Sequence, residues 1–260
     1  MIKQREIIQS EQNQWLKRCK ALQQKKYRQQ YGQFVAEGLR FVQEALENQA
    51  AQVVLLDEQQ QELAEQIAAG DTPVYLVKAG LLAKTLNTVN PQGIAAIAQQ
   101  KQWNWQDVAV MKQIVIIDGV QDPGNLGTIM RTALASDTQA MICLKGTVDL
   151  YNDKTLRSTM GAVFRLPVYH IDDVAAMQDD LHRWGFQLAV ADIRAEQYHY
   201  QMQFPEKTAL VVSNEANGPQ FIKTGDIMVK IPLYQQAESL NVAVAAGILL
   251  YAIRTAREER

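Results

Sequence analysis

The 260-residue sequence has little cysteine and no long apolar run. Its two cysteines, Cys19 and Cys143, are too few and too far apart for a disulfide framework or a zinc site. No segment approaches the roughly 18–20 apolar residues that a membrane helix needs. The first residues also lack the apolar stretch of a secretory signal. We therefore expect a cytoplasmic protein that binds neither a membrane nor a metal ion.

Several catalytic fingerprints are missing as well. No segment has the spacing GxGxxG or GxxxxGK[ST], which disfavours an NAD-dependent enzyme and a P-loop enzyme. The histidines His170, His182 and His199 show no metal-ligand spacing and no nucleophile partner, so a hydrolase is disfavoured and structural or surface roles are expected. Asp118 and Asp122 could form a carboxylate pair, but the formation of a turn explains both.

The charge of the chain is unevenly distributed. The whole sequence has a formal net charge of −2, from 26 Lys and Arg and 28 Asp and Glu. Residues 1–40 hold nine Lys or Arg against three Glu, a net charge of +6, so the remainder carries −8. A basic segment on an acidic body predicts an anionic partner such as a nucleic acid. A solvated helix face would give the same pattern.

The order of apolar and polar segments predicts two α/β units. We place a smaller domain at 1–102, a linker at 103–112 and a larger domain at 113–260. Strands that alternate with helices in the larger domain predict a mostly parallel sheet covered on both faces. Trp103 and Trp105 in the linker could stack on a base, but packing at a domain junction is the favoured interpretation.

Helices are predicted near both ends of the chain. The pattern over 10–31 predicts one helix that Ser10 caps and Gly32 ends. The pattern over Ser239–Arg257 predicts a long last helix with Ser239 as its cap. Apolar or small residues occupy almost every face of the last helix, so we expect it to be buried.

Three segments join a predicted strand to a turn with polar side chains, and ligands of open α/β sheets bind beyond such strand ends. They are Ile117–Arg131, Leu210–Gly218 and Ile231–Gly247. In the first segment, Asn125 is predicted to cap a helix over Leu126–Ser136, with Arg131 further along it. The second segment contains the carboxylate Glu215. In the third, Asn241 stands in the first turn of a buried helix and needs partners. Each segment alone is also explained as a capped turn.

Taken in order, DPGNLGTIMRTA, VVSNEANG and IPLYQQAESLNVAVAAG resemble the three signature motifs of the SpoU/TrmH family of RNA ribose 2′-O-methyltransferases, in the SPOUT class. The segment LYNDKTLRSTMGAVFRLPV resembles the same family. KALQQKKYRQQYGQFVAEGLRFVQEAL and TLNTVNPQGIAAIA resemble its substrate-binding domain. The resemblance implies an α/β fold: a C-terminal SPOUT domain with a parallel sheet and a deep trefoil knot, and a small N-terminal α/β domain that binds RNA.

The resemblance also implies a reaction and a set of residues. The reaction is methylation of a ribose 2′-hydroxyl in structured RNA with S-adenosyl-L-methionine, by a homodimer, with ribosomal RNA as the favoured substrate. The implied catalytic residues are Asn125, Arg131, Glu215, Ser239 and Asn241. The implied cofactor-binding residues are Ser213, Asn214, Gly218, Ile231, Leu233, Leu240 and Asn241. The RNA-binding residues expected in the basic segment are Lys17, Lys20, Lys25, Lys26, Arg28 and Arg40.

The role of Arg131 concerns catalysis, and two departures from the family pattern concern cofactor binding. A guanidinium stays protonated in proteins, so we expect Arg131 to position a phosphate or an oxyanion rather than to accept a proton. Ser213 and Gln235 stand where the family usually has glycine, which bears on cofactor affinity. Two alternatives therefore stay open: an RNA-binding protein that keeps the fold without catalysis, and a ribose methyltransferase of transfer RNA.

Overall fold

A computed structural model describes residues 7–86, 91–213, 226–234 and 237–258. Their contacts divide into two compact units. One contains the residues up to Gln102 together with Tyr151–Phe164, and the other contains Trp103–Leu150 together with the residues from Arg165 onward. The domain boundaries drawn from the sequence stay a prediction.

The first unit is a mixed sheet with helices. Its elements are α1 (Gln14–Leu22), α2 (Lys25–Tyr31), β1 (Gln33–Glu37), α3 (Leu39–Glu47), β2 (Ala51–Asp57), α4 (Leu63–Gln66), β3 (Val74–Val77), α5 (Leu81–Leu86) and β4 (Ile94–Gln99). The later helix α7 (Asp153–Thr159) also belongs to this unit. The strand order is β1-β4-β2-β3. β4 runs antiparallel to β1 and β2, whereas β2 and β3 are parallel. The apolar stripe of α1, made of Leu16, Cys19 and Leu22, packs in the core against the sheet.

The single helix predicted over 10–31 is wrong, because the segment forms α1 and α2 with a break between them. Asn13 caps α1 in place of Ser10, and its side chain accepts a hydrogen bond from Trp15 N at 2.9 Å. Gly32 ends α2 in the left-handed conformation, with φ +61°, as its position predicts.

Two further differences concern short elements. The sequence pattern over 59–69 also predicts a helix, which is wrong, because the structure has a 3-10 turn at Glu58–Gln60 and only the short α4 there. The strand Val168–Ile171 was not predicted. Its four residues carry no long apolar run, and only one of them is buried.

The second unit contains one fully parallel sheet, as predicted. Its elements are β5 (Gln113–Asp118), α6 (Pro123–Ala135), β6 (Ala140–Leu144), β7 (Val168–Ile171), α8 (Val174–Arg183), β8 (Gln187–Ala191), β9 (Thr208–Ser213), β10 (Ile227–Val229) and α9 (Val242–Glu258). The strand order is β10-β8-β9-β5-β6-β7. The residues Ile114 to Ile117 of β5 are fully buried, which requires cover on both faces of the sheet.

The strand order reverses beside β5. The chain continues from β5 outward to β6 and β7, and then returns to build β8, β9 and β10 on the other side. All these strands are parallel, so their carboxyl ends share one edge. In open α/β sheets, the point of reversal at this edge is where ligands bind. The second unit therefore offers a binding edge where β5 and β9 end side by side.

The last helix differs from its prediction in start and in burial. α9 begins at Val242 rather than at Ser239. One face is buried, and α9 packs against α6, where a Cβ added at Gly247 would lie 3.4 Å from Thr132 Cγ2. The opposite face is open, since Val244 is 51% exposed and Tyr251 is 45% exposed. The expectation of a wholly buried helix is therefore wrong for this chain by itself.

The linker tryptophans contribute to packing in the second unit. The ring of Trp105 lies 5.3 Å from the rings of Tyr169 and Trp184, and its Nε1 donates to Asp180 Oδ2 at 2.8 Å. Trp103 also packs against this core. Among the described residues, no helix combines the length and the apolarity needed to cross a membrane.

Candidate active site

The first and second motifs begin at neighbouring positions of the sheet edge. Asp118 at the end of β5 pairs in register with Ser213 at the end of β9. Both residues are half-buried. Partial burial raises the pKa of the Asp118 carboxyl above its ordinary value, because removal from water disfavours the charged form. The edge therefore carries a carboxyl and a hydroxyl at adjacent strand ends.

In the first motif, Asp122 rather than Asn125 caps α6. Asp122 Oδ1 accepts a hydrogen bond from Asn125 N at 2.7 Å, and Pro123 occupies the first helical position. Proline suits that position because its fixed φ is helical and its missing N–H is not needed there. The predicted cap at Asn125 is wrong by three residues, and Asn125 lies inside the first turn of α6. The pair Asp-Pro was the sequence signal for this start.

In the third motif, Asn241 rather than Ser239 caps α9. The Asn241 side-chain oxygen accepts from Ala243 N at 2.9 Å and from Val244 N at 3.4 Å. The Asn241 carbonyl accepts the first helical bond, from Ala245 N at 2.9 Å. Ser239 lies exposed before the helix, so its assignment as the cap is wrong. Its catalytic role stays a prediction.

A side-chain hydrogen bond joins the first and third motifs. Asn241 Nδ2 donates to Asn125 Oδ1 at 3.0 Å, across 116 positions of the sequence. The partner that Asn241 was expected to need is thus another residue of the predicted catalytic set. Because both residues belong to helix starts, the N-termini of α6 and α9 meet at this bond. Each amide has further donors or lone pairs, so the pair can also bind a ligand.

Arg131 stands apart from this bond. It is exposed on α6, six residues after Asn125. At 1.5 Å and about 100° per residue, this spacing places it about 9 Å further along the helix and about 120° around the axis. The described residues therefore bring Asn125 and Asn241 together and leave Arg131 on another face of α6.

The predicted cofactor residues divide into two groups. Ser213, Ile231, Leu233, Leu240 and Asn241 are described; the first four are half-buried and Asn241 is exposed. Asn214, Gly218, the catalytic candidate Glu215 and the departure Gln235 lie outside the described residues. Ile231, Leu233 and Leu240 offer partly covered aliphatic side chains and Ser213 offers a hydroxyl, which are residue types that suit a nucleoside ligand with an apolar base and polar edges. These residue types fit S-adenosylmethionine, and the individual roles stay predictions.

Most of the predicted RNA-binding residues lie on the surface of the first unit. Lys17, Lys20, Lys25, Lys26 and Arg40 are exposed. Arg28 differs, since it is only 7% exposed. Its Nη1 donates to Leu22 O at 2.7 Å and to Gln23 O at 2.8 Å, the carbonyls that end α1. This structural role explains why Arg28 is buried, and we remove it from the expected RNA surface.

The sequence analysis did not identify two tyrosines that lie beside these basic residues on α2. Tyr27 and Tyr31 of α2 stack with ring centroids 6.2 Å apart and an interplanar angle of 14°. The Arg18 guanidinium carbon lies 3.7 Å from the Tyr31 ring centroid, and Lys26 Nζ lies 5.8 Å from the Tyr27 centroid. The four-residue spacing of the tyrosines, which places them on one helix face, was the available signal.

The structure also bears on the expectations for histidines and metal ions. His182 Nε2 lies 3.0 Å from Asp226 Oδ1, which gives this histidine a structural partner. Within the described ranges, no three His, Cys, Asp or Glu side chains gather closely enough to hold a metal ion.

Comparison with known proteins identifies the family. The profile of the SpoU rRNA Methylase family matches residues 112–251, more than half of the chain. The chain belongs to this family. The profile of the MRM3-like substrate binding domain matches residues 13–96 of this SpoU protein.

Two curated relatives and one solved structure show how far the similarity extends along the chain. The 23S rRNA (guanosine(2553)-2′-O)-methyltransferase RlmP of Bacillus subtilis (strain 168) is 34% identical over 95% of this chain and 98% of its own. The 23S rRNA (guanosine-2′-O-)-methyltransferase RlmB of Xylella fastidiosa (strain 9a5c) is 32% identical over 63% of this chain and 70% of its own. The AdoMet-bound rRNA methyltransferase from Sinorhizobium meliloti has a TM-score of 0.80 at 28% identity, and covers 96% of this chain and 97% of its own.

These matches bear on the predictions directly. The SpoU/TrmH resemblance, the α/β fold with its N-terminal substrate-binding domain and the enzyme class of RNA methyltransferase are confirmed. The deep trefoil knot stays a prediction, because the path between β9 and β10 includes residues 214–225, which lie outside the described part.

Proposed function

We propose that this SpoU protein methylates the 2′-hydroxyl of a guanosine ribose in 23S ribosomal RNA, with S-adenosylmethionine as the donor. The hydrogen bond from Asn241 to Asn125 carries the proposal, because it unites two motifs at the ligand-binding edge of a parallel sheet. The names of the Bacillus and Xylella relatives support the guanosine and the 23S RNA. The Sinorhizobium structure supports the donor.

The chemistry needs a sugar oxygen held in line with the methyl group: the oxygen–methyl bond forms as the sulfonium–methyl bond breaks, and the hydroxyl proton passes to water. S-adenosylmethionine, when bound, supplies that methyl group on a sulfonium centre. We assign Asn125 and Asn241 to orienting the ribose, because their bonded amides form a fixed polar pair at the site edge. We assign Arg131 to gripping a phosphate of the RNA and to stabilising the negative charge that develops on the oxygen. Such positioning supplies most of the rate enhancement expected for a transfer of this kind.

The basic surface of the first unit holds the RNA. Lys17, Lys20, Lys25, Lys26 and Arg40 contact phosphates, which fixes the register without reading the sequence. Each phosphate contact releases counterions, so affinity falls as salt rises. Exchange of the four lysines for glutamine should weaken RNA binding and flatten its salt dependence, whereas donor binding should stay unchanged. Fluorescence anisotropy with a labelled 23S RNA transcript at several salt concentrations measures the first two effects, and calorimetry measures the third.

The protein acts as a homodimer in the cytoplasm. The open face of α9 supports the dimer, since Val244 and Tyr251 lie one heptad apart and together form an exposed apolar stripe on that helix. Light scattering on the purified protein should give twice the mass of one chain. A monomeric mass that persists at micromolar concentration would remove this part of the proposal.

The function is tested with radioactive donor and transcribed RNA. Purified protein, S-adenosyl-L-[methyl-³H]methionine and 23S RNA transcripts should give labelled RNA, and the modified position should resist alkaline cleavage because its 2′-hydroxyl is blocked. The guanosine that corresponds to the position named for the Bacillus relative is tried first. A transcript with a 2′-deoxy residue at that position is the matched control.

Two outcomes would replace the proposal. Labelling of transfer RNA but not of 23S RNA would favour the transfer-RNA alternative. Failure to bind the donor in calorimetry, with RNA binding intact, would favour the non-catalytic protein. Ser213 is the residue that motivates the second alternative, and Ser213→Gly should then restore donor binding.

A further inference from the structure

Two tyrosine rings stack at the carboxyl end of β10. The ring centroids of Tyr198 and Tyr200 lie 5.4 Å apart, with an interplanar angle of 5°. Tyr198 is half-buried, whereas Tyr200 is 64% exposed. His199 packs edge-on against Tyr200 at 5.3 Å. The outer ring therefore presents an aromatic surface to solvent while the inner ring supports it.

Backbone hydrogen bonds hold the tyrosines in place. His199 N donates to Lys230 O at 2.9 Å, and Lys230 N donates to Gln197 O at 3.0 Å, which forms a parallel bridge between Tyr198 and Lys230. The Gln201 side chain accepts from Tyr198 N at 3.3 Å. These bonds hold the turn that carries the rings in one conformation. A ligand that stacks on the rings therefore binds without the entropy cost of ordering this segment.

A positive charge accompanies the rings. Lys230 Nζ lies 4.8 Å from the centroid of Tyr198, within the range of a cation–π contact. Lys230 directly precedes Ile231, which is predicted to line the donor site. Consecutive Cα atoms are about 3.8 Å apart, so the inner ring contacts the residue that leads into the third motif.

We propose that Tyr198, Tyr200 and Lys230 form a stacking surface for an unpaired RNA base close to the target nucleotide. The inference depends on the proposed function, which requires a target ribose beside the third motif. Aromatic faces stack on any base, and a lysine beside them can contact the adjoining phosphate. RNA segments recognised by proteins have splayed bases that need such surfaces. Trp103 and Trp105, which the sequence offered for this role, are partly buried and pack against the core of the second unit.

RNA is favoured over a protein partner because of the lysine. The cores of protein interfaces are depleted of charged residues, lysine among them. Here a lysine cation lies against the inner ring, next to the exposed one. A cation beside aromatic rings complements a base that carries an attached phosphate.

The test compares substitutions of the exposed ring. Tyr200→Ala removes the ring, Tyr200→Leu keeps an apolar side chain, and Tyr200→Phe keeps the ring without its hydroxyl. Ile193→Ala is the matched control, since Ile193 belongs to the same connection between β8 and β9 and is 65% exposed. The probe is the labelled 23S RNA transcript, with binding measured without donor and methyl transfer measured with it.

The expected result separates stacking from charge. Tyr200→Ala and Tyr200→Leu should weaken binding and raise the KM for RNA by about tenfold, the effect of losing one stacked base. They should leave kcat, donor affinity and the slope of binding against salt unchanged, because stacking releases no counterions. Tyr200→Phe and Ile193→Ala should match the wild type. Lys230→Ala should reduce the salt slope by about 0.7, as expected for one phosphate contact on a single strand.

Several outcomes would overturn the proposal. One is wild-type binding of the transcript by Tyr200→Ala, whether or not the wild type methylates RNA. Another is a lower mass of Tyr200→Ala in light scattering with RNA binding unchanged, which would make the rings a protein interface. If the wild type methylates no RNA, the proposed function fails, and the binding comparison alone still decides the stacking surface.

Discussion

The hydrogen bond between Asn241 and Asn125 can be tested apart from the stability of the helix that Asn241 caps. Loss of an N-cap side chain costs about 0.5–2 kcal/mol, and loss of a partly exposed hydrogen bond costs about 0.5 kcal/mol. Asn241→Ala removes both interactions, so we expect it to lower the free energy of unfolding by about 1–2 kcal/mol. Asn125→Ala removes only the bond to Asn241 and should cost about 0.5 kcal/mol, as for a single weak hydrogen bond.

Asn241→Ser separates the two effects. Serine is as good an N-cap as asparagine, but its short side chain carries no amide to reach Asn125. Stability should therefore stay within about 0.5 kcal/mol of the wild type, the range of near-neutral substitutions, whereas methyl transfer should fall strongly. Asn241→Asp is a weaker probe, because the Asn125 amide can turn and donate to the new carboxylate.

Urea unfolding gives the stabilities, and initial rates with labelled donor give the activities. A double-mutant cycle of Asn125→Ala and Asn241→Ser isolates the activity that depends on the bond. Two results would refute a role of the bond in catalysis: wild-type kcat and KM for Asn241→Ser, or additive effects of the two substitutions on the transfer rate. Either result would mean that the bond serves folding alone.

Three further predictions concern Arg131, Asp118 and the two cysteines. Arg131→Ala should abolish methyl transfer and leave donor binding nearly intact in calorimetry, since the residue lies about 9 Å along α6 from Asn125 by helix geometry; loss of donor binding would contradict the division of roles. Burial raises the pKa of Asp118, so its charged form costs folding free energy at neutral pH. Asp118→Asn should stabilise the protein at pH 7 and not below pH 3, where the carboxyl is protonated in both states, and equal effects in urea at both pH values would refute this. Burial raises the pKa of Cys19 and of Cys143 to about 12, so a thiol reagent at pH 8 should modify neither until urea unfolds the protein.

The architecture of the second unit was predictable because its signals are local. Continuous apolar runs such as Ile114 to Ile117 predict buried parallel strands, and Asn241 in an apolar helix start predicts a need for partners. The identity of its partner was not predictable, because Asn125 lies 116 positions away and only the fold brings the two together.

The failures at helix starts have a common cause. Ser10, Asn125 and Ser239 are all good capping residues, but each has a competitor within three residues, and the helix begins at the competitor: Asn13, Asp122 and Asn241. Cap propensities of Asp, Asn and Ser are nearly equal. For Asn13 and Asn241 the choice depends on tertiary packing, which the sequence pattern does not contain, whereas Pro123 directly after Asp122 was a local signal for the start of α6.

Arg28 was assigned to the RNA surface by its charge, whereas the structure uses it to bind the carbonyls that end α1. A run of basic residues predicts a positive surface but not which member is buried. Tyr198 and Tyr200 are close in the sequence, but Lys230 is distant from both, so no local pattern predicts that its cation lies beside them.

Strand ends that are distant in the sequence are expected to form one cleft that holds the methyl donor. A crystal structure with S-adenosylhomocysteine bound tests this central claim most directly. We predict the ligand at the carboxyl edge of the second-unit sheet, against Ser213, Ile231 and Leu240, with the bond between Asn125 and Asn241 beside it. A ligand bound elsewhere, with these residues scattered away from it, would contradict the claim.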